Sequence, residues 1–421
     1  MQGMETAPPA DLIIPCTRGP MFAHVPVYPG DPILSLLEAF QADSRATRAN
    51  LSIGLYYDDD NSIPVLASVR EAAATVAGQS APHTYLPMEG MPQYRQALQR
   101  VVFGADSVAL RENRVATIQS VGGSGALRIG AEFLKAYFPG SEVWVSDPTW
   151  DNHEVLFAGA GLAVHAYPHY DPQTNGLRFG DMLATIDALP ARSVVLLQPC
   201  CHNPTGIDLS RDQWRQLIAA LQRRELIPFV DMAYQGFGDG LDKDAWAIRA
   251  MVDAGLSFIA SNSFSKNFSL YGERCGGLSF VAADAAQAAL VLGQLKATVR
   301  RIYSSPPLHG ARLVSTVLNT PHLTALWEEE VASMRKRIAR MRASLRQSLE
   351  ALVPGLSAEY LTMQRGMFSY TGLRAEEVDL LREKYGVYLL RSGRMCVAGL
   401  NDGNLEHVAQ SMATVLRVRA Q

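Results

Sequence analysis

Val115-Ala116-Thr117-Ile118, then Gly122-Gly123-Ser124-Gly125, then Ala126 to Tyr137: the reading of this stretch decides the fold class. Its first part is short and apolar, as a buried strand is. The glycine run reads as a turn, and the remainder carries helical spacing. The same alternation continues outward. Val143-Trp144-Val145, Leu162 to Tyr167, Val194 to Leu197, Ile227 to Val230, Phe258-Ile259-Ala260 and Leu278 to Val281 read as strands, with a helix around Gln213 to Arg223. Short apolar strands separated by helices imply an α/β fold with a mainly parallel sheet covered on both faces. Further on, Trp327, Val331, Met334, Ile338, Met341, Leu345 and Leu349 step by three or four, and neither Pro nor Gly falls between Leu323 and Val353. That predicts one amphipathic helix of ~45 Å, stopped by Pro354-Gly355 and linking the sheet domain to a C-terminal domain.

Composition narrows the function classes. A chain of 421 residues, 48% hydrophobic and 19% charged, builds a large core, and at ~100–200 residues per domain it holds two to four domains. Lys plus Arg is 38 against 41 Asp plus Glu, a net charge of −3; no basic excess drives nucleic-acid binding. No run of ~18 apolar residues predicts a membrane-spanning helix. Cys16, Cys200, Cys201, Cys275 and Cys396 are an odd set without staple-like spacing, which fits a reducing, cytoplasmic compartment. Residues 1–20 contain Pro8, Pro9 and Pro15 and lack both periodicity and the features of a secretory signal; weak order is expected there, with an upstream start or non-native residues as the origin.

Several segments carry chemistry. Lys266, in Ser263-Phe264-Ser265-Lys266-Asn267, follows an apolar strand, and Arg274 comes shortly after. Strand carboxyl ends are where ligands sit in open α/β sheets, and this set suits a bound phosphate plus an amine nucleophile. A surface lysine in a polar loop is the equal alternative. Asp231 also ends a strand, as a helix cap, a metal ligand or a partner for a buried cation; Tyr234 follows it. Cys200-Cys201-His202-Asn203-Pro204-Thr205-Gly206 looks metal-like, but no second thiolate pair stands at suitable spacing, so no metal is expected. It reads better as a turn presenting Asn203. The glycine run at Gly122 to Gly125 suits a phosphate at a helix start and does not match G-x-G-x-x-G. Arg394, beside the apolar run Cys396-Val397-Ala398, suits a carboxylate or a structural ion pair. Trp150 is a stacking platform or a core residue.

Taken together these segments resemble fold-type I pyridoxal-phosphate enzymes, in the aspartate/aromatic aminotransferase branch. The resemblance runs in order through Gly30-Asp31-Pro32-Ile33, Ser52 to Tyr56, Tyr85 to Gly90, Gly122 to Ala126, Ser146 to Trp150, Cys200 to Gly206, Asp231 to Phe237, Ser263 to Asn267, Tyr303 to Pro307 and Ser392-Gly393-Arg394. Tyr85 to Gly90, Leu295 to Arg301 and Arg394 to Leu400 look most like the bacterial aromatic-amino-acid (tyrosine) aminotransferases.

The resemblance implies a large domain (64–333) built on a mainly parallel seven-stranded sheet, with a smaller α/β domain made from both chain ends (21–63 and 334–421). It implies pyridoxal 5′-phosphate as cofactor, held by Lys266 as a Schiff base, with the freed amine later moving the substrate Cα proton. Asp231 would hold the pyridine nitrogen protonated, oriented by His153. Tyr234 and Asn203 would bond the ring oxygen, and Trp150 would stack on the ring. Gly123, Ser124, Ser263 and Arg274 would form the phosphate cup, with Tyr85 reaching it from the other subunit of a homodimer. Arg394 would clamp the substrate α-carboxylate beside Gly54. Arg300, from the second subunit, would meet the distal carboxylate of 2-oxoglutarate and yield to an aromatic ring, a cation–π exchange worth ~0.5–2 kcal/mol.

Two positions depart from the family pattern: Gln198 stands where many aspartate enzymes have histidine, and Arg391 replaces a small residue. The activity implied is ping-pong transfer of the amino group from tyrosine or phenylalanine, with some aspartate, to 2-oxoglutarate. An aspartate aminotransferase would share every catalytic residue. A non-catalytic coenzyme-binding sensor or scaffold usually carries an added DNA-binding segment, for which 20 residues are too few, and a dehydrogenase is disfavoured by the missing glycine fingerprint.

Overall fold

The structure, a computed structural model, describes residues 20–28, 30–79 and 82–419. The expectation for residues 1–20 therefore lies, except for Pro20, outside the described residues. Seven strands form the central sheet: β1 (Val115–Val121), β2 (Val143–Asp147), β3 (Val164–Pro168), β4 (Val194–Leu197), β5 (Ile227–Met232), β6 (Phe258–Ser263) and β7 (Cys275–Val281). Their spatial order is β1-β7-β6-β5-β4-β2-β3. All pairs are parallel except those of β7, which runs antiparallel to both neighbours, with Cys275 opposite Val121 and Gly276 opposite Ser263. The carboxyl ends of β1, β2, β4, β5 and β6 thus share one edge.

Helices cover the sheet. Of these, α1 (Gly122–Tyr137), α2 (Asp151–Gly159), α3 (Ala285–Ile302) and α4 (Pro321–Leu352) bear on the site. Helix α1 lies close on β5 because Gly130 has no side chain: a Cβ there would sit 2.5 Å from Phe229 Cζ. A small parallel pairing joins the two chain ends, Ala49–Asn50 with Val387–Tyr388, and a second, antiparallel one lies within the C-terminal part, Phe368–Tyr370 with Arg394–Cys396. No helix among the described residues is long and apolar enough to cross a membrane.

The structure differs from the sequence reading chiefly at element ends. β1 runs on to Val121, β5 to Met232 and β6 to Ser263. Polarity ends an apolar pattern but not a ladder, provided each buried group is bonded: Gln119 donates to the Pro307 carbonyl at 2.6 Å and accepts from Met91 N at 3.2 Å. β7 starts at Cys275 rather than Leu278, through two glycines that the pattern does not flag. A Cβ at Gly277 would lie 2.3 Å from Leu98. The run Gly122 to Gly125 is not a separate turn; it is the first turn of α1, entered through Gly122 at φ +64°.

Helix α4 has 32 residues, ~48 Å. It begins with Pro321 in its first turn, where a missing N–H is harmless, and buries Trp327, Val331, Met334, Ile338, Met341, Leu345 and Leu349. Trp327 ties this helix to the site: its Nε1 donates to the Asn267 carbonyl at 2.8 Å and its ring stacks on Phe268. Trp327→Ala should lower unfolding free energy by about 3–5 kcal/mol, the usual range for deleting a buried tryptophan. Urea denaturation checks it, and an unchanged midpoint would mean that the helix does not buttress the Lys266 loop.

Candidate active site

At the shared strand edge, β1 hands over to α1 at Gly122, and the helix's unpaired N–H groups face a cleft of about 210 Å³ lined by Gly123, Ser124, Ser263, Ser265, Lys266 and Arg274, among others. Ser265 N donates to Ser263 Oγ at 3.2 Å, and Arg274 Nη1 to the Tyr271 carbonyl at 2.9 Å and Ser265 Oγ at 3.4 Å. A Cβ on Gly122 would fall 2.5 Å from Arg274 Nη2, and one on Gly123 3.3 Å from Ser263 Cβ. Among the described residues no carboxylate lies within 4.0 Å of Arg274. Helix N–H groups, hydroxyls and an unpaired guanidinium are the donor set of a phosphate cradle.

Opposite the cradle stands the acid. Asp231 lies within β5, so it is not a helix cap, the commoner of the readings open from sequence. Its Oδ1 accepts from Ser261 Oγ at 2.7 Å, and its Oδ2 is 3.1 Å from His153 Nε2; His153 Nδ1 is 2.7 Å from Thr149 Oγ1. Burial acts to raise the Asp231 pKa, but His153, Ser261 and the Lys266 charge outweigh it and hold the carboxyl below its usual range. A buried carboxylate that stays ionised is a partner for a cationic ring N–H. Trp150 packs edge-on against His153, 5.2 Å between centres, and lines the cleft.

Lys266 is half-buried, its Nζ 4.8 Å from the centre of the Tyr234 ring. No carboxylate among the described residues comes within 4.0 Å of it. Burial, helped by the Arg274 and Arg394 charges and opposed by Asp231, lowers its pKa from 10.5 to about 8. An amine that sheds its proton near neutrality is a nucleophile and a base. Tyr234 accepts from Asn203 Nδ2 at 3.3 Å, and burial pushes its hydroxyl pKa up. Gln198, one of the departures from the family pattern, brackets Asn203: it donates to the Asn203 carbonyl at 3.0 Å and accepts its N–H at 2.8 Å.

Arg394 is only 3% exposed. Its Nη2 donates to the Ser52 carbonyl at 2.6 Å, its Nη1 is 3.5 Å from Asn203 Oδ1, and its guanidinium lies over Phe368. Its Nε is buried without a partner, and among the described residues no carboxylate stands within 4.0 Å. Among the described residues, the structural ion pair left open from sequence is absent. A buried cation without a counter-ion is costly, and a ligand carboxylate removes that cost. Gly54 keeps the space clear: a Cβ there would meet Phe368 Cζ at 2.9 Å.

Two anticipated residues lie outside the cleft formed by this chain. Tyr85 is 94% exposed. Arg300, exposed on α3, donates to Ser304 Oγ at 2.5 Å. Arg391 pairs with Asp379 at 3.0 Å, on the wall of a separate cavity with Leu36 and Ser392. Sequence reading gave no role to Ser261, Thr149 and Tyr271, and took Ser265 only as a hydroxyl beside Lys266. Ser261 was within reach, since it shares a strand face with Ser263 one period of two away. Tyr271, whose hydroxyl accepts the Tyr56 N–H at 2.9 Å, carries no local signal.

The family described as aminotransferase class I and II matches residues 47–412. The chain is 59% identical to an aromatic-amino-acid aminotransferase of Escherichia coli (strain K12), covering 94% of this chain and 100% of the relative. It is 47% identical to an aspartate aminotransferase of Pseudomonas aeruginosa, covering 94% and 100%. Among solved structures, an aromatic-amino-acid aminotransferase from Burkholderia pseudomallei covalently bound to pyridoxal phosphate superposes with a TM-score of 0.93 at 46% identity, over 94% of this chain and 100% of that one.

Proposed function

Since the chain belongs to the class I and II aminotransferases, we propose that it is an aromatic-amino-acid aminotransferase, passing the amino group of tyrosine or phenylalanine, and of aspartate in part, to 2-oxoglutarate. The observation that carries this reading is the buried Arg394, which has no carboxylate within 4.0 Å among the described residues and reaches, at 3.5 Å, Asn203 on the wall of the cleft that Lys266, Asp231 and the anion cradle line. The aromatic preference is supported by the relative at 59% identity; aspartate aminotransferase is the second reading, supported by the relative at 47%.

The donor set fits pyridoxal 5′-phosphate. Such a cofactor, when bound, supplies a carbonyl carbon that takes up the amino group and a ring that draws off the electron pair of the Cα–H bond. Lys266 would be its covalent anchor and, once released, would carry the proton at the substrate Cα. Asp231, steadied by His153, would keep a proton on the ring nitrogen. Tyr234 and Asn203 would donate to the ring oxygen, Trp150 would cover the ring face, and Gly123, Ser124, Ser263 and Arg274 would hold the phosphate. Arg394 would align the α-carboxylate above Gly54. Tyr85 and Arg300 would complete the site from the other subunit of a homodimer, which accounts for their position outside this chain's cleft. The large domain would span 64–333 and the small one 21–63 with 334–421, in a cytoplasmic enzyme acting on small amino and oxo acids.

An amino-donor panel with 2-oxoglutarate tests the reading. A phenylalanine-to-aspartate ratio of kcat/KM of about one hundredth or less, about 2.7 kcal/mol the wrong way, would hand the protein to the aspartate reading. Arg300→Ala should lower kcat/KM for aspartate and glutamate by about 10²-fold, the scale of a lost charge-assisted pair, and that for phenylalanine far less; equal losses on all three would reject its role. The amine pKa sets a pH dependence. The neutral amine is the reactive form, and its folded pKa lies below the ordinary 10.5, at about 8. Recombination of apoprotein with pyridoxal 5′-phosphate should therefore quicken about tenfold per pH unit up to about 8 and then level off. Stopped-flow absorbance checks it; a rate still climbing above pH 10 would place the amine in solvent.

A further inference from the structure

We propose that Cys200, Cys201 and Asp244 form a binding site for one soft divalent cation of the zinc class, in a cavity separate from the catalytic cleft. The two thiol sulfurs and a carboxylate oxygen lie within 4.8 Å of one another, all on buried residues. None of the three lines the cleft, and nothing in the proposed amino transfer uses them. Cys200 and Asp244 instead line a cavity of about 350 Å³, together with Asp208, Asp239, Lys243 and Arg365. An ion in that cavity would meet Cys200 and Asp244 on its wall, with Cys201 directly behind, and water there has room to complete its shell.

The backbone builds this arrangement. Cys201 sits in the left-handed region at φ +52°, a conformation a non-glycine residue seldom adopts unaided. Asp208 holds it there, accepting from Cys201 N at 2.7 Å and His202 N at 2.9 Å. Asp244 is fixed by three backbone donors: Gly236 N at 2.8 Å and Gly238 N at 3.0 Å on Oδ2, Asp239 N at 2.7 Å on Oδ1. With one bond on Oδ1, that oxygen keeps a lone pair free.

Two thiolates and one carboxylate, with a water in the fourth position, match the tetrahedral preference of zinc, and sulfur selects zinc or cadmium over magnesium or calcium. Binding releases both thiol protons to solvent and changes no oxidation state. The bound set then carries one net negative charge, and Lys243 is on the cavity wall to offset it, Arg365 there being paired with Asp239 at 2.5 Å. The sequence argument against a metal looked for a second thiolate pair; the fold supplies a carboxylate from the end of the short helix Leu241–Asp244 instead.

The probe is cadmium, titrated into chelator-treated holoenzyme in a non-coordinating buffer. The expected result is about one equivalent bound per chain with cadmium–thiolate ultraviolet absorption. Cys200→Ser should weaken binding by about 10²-fold while leaving metal-free activity unchanged. Cys200→Ser with Cys201→Ser should abolish the band, and Cys275→Ser or Cys396→Ser should keep it. No band in the wild type, or a band surviving in the double variant, overturns the site. Should the variants fold poorly, X-ray absorption on zinc-loaded wild type decides: two sulfurs at about 2.3 Å with oxygen at about 2.0 Å support it, and a shell of nitrogen and oxygen alone overturns it.

Discussion

Lys266→Ala should lower kcat by about 10⁴-fold, the upper end of what one positioned acid–base group contributes, while the protein still binds pyridoxal 5′-phosphate. The two readouts separate because the cradle at Gly123, Ser124, Ser263 and Arg274 is built without the amine, and Asp231 keeps His153 and Ser261 even where the Lys266 charge is lost. No other lysine lines the cleft, and the arginines there stay protonated near neutrality, so no neighbour can take over the proton. Borohydride reduction followed by peptide mapping should tag residue 266 in the wild type and nothing in the variant. Near-normal turnover, or a tag elsewhere, would remove Lys266 from its role and with it the chemistry proposed here.

Arg394→Ala should cut kcat/KM for every amino-acid substrate by about 30- to 4000-fold, the ~2–5 kcal/mol lost when one partner of a buried charge pair is truncated, at ~1.4 kcal/mol per tenfold. Folding stability should move the other way or stay level. The guanidinium is buried over Phe368 with Nε unpartnered and, among the described residues, no carboxylate within 4.0 Å; its removal relieves a buried charge at the cost of the bond to the Ser52 carbonyl. Arg394→Lys should restore only part of the activity, because an ammonium cannot grip both carboxylate oxygens in the plane of a fork. Steady-state kinetics beside urea denaturation reads both effects. A variant that loses stability and activity in proportion would make Arg394 a structural residue.

Arg391 and Arg394 show where local reasoning stops. Arg391, a departure from the family pattern, is held by Asp379, which also meets Arg382 at 3.1 Å. Whether an arginine is paired depends on which acid the fold brings near, and Asp379 and Arg391 come together only through the packing of the C-terminal segment. Arg394 is three residues away and, among the described residues, has no such acid within 4.0 Å. Nothing in Ser392-Gly393-Arg394 distinguishes these outcomes.

What the amino-acid order settled on its own was periodic or local. The strand–helix alternation from Val115 to Val281, the long stripe from Trp327 to Leu349 and the position of Lys266 and Asp231 at strand carboxyl ends follow from side-chain spacing along one element, which burial enforces residue by residue. The tertiary structure decided everything that turns on two distant segments sharing one place. It carried strands through buried polar residues because partners such as the Pro307 carbonyl exist for them. It set β7 against its neighbours, left Arg394 without a counter-ion, and brought Asp244 to Cys200 and Cys201. Spacing along a chain fixes which face a residue takes, but the free energy of a buried charge or donor depends on what stands opposite, and only packing determines that.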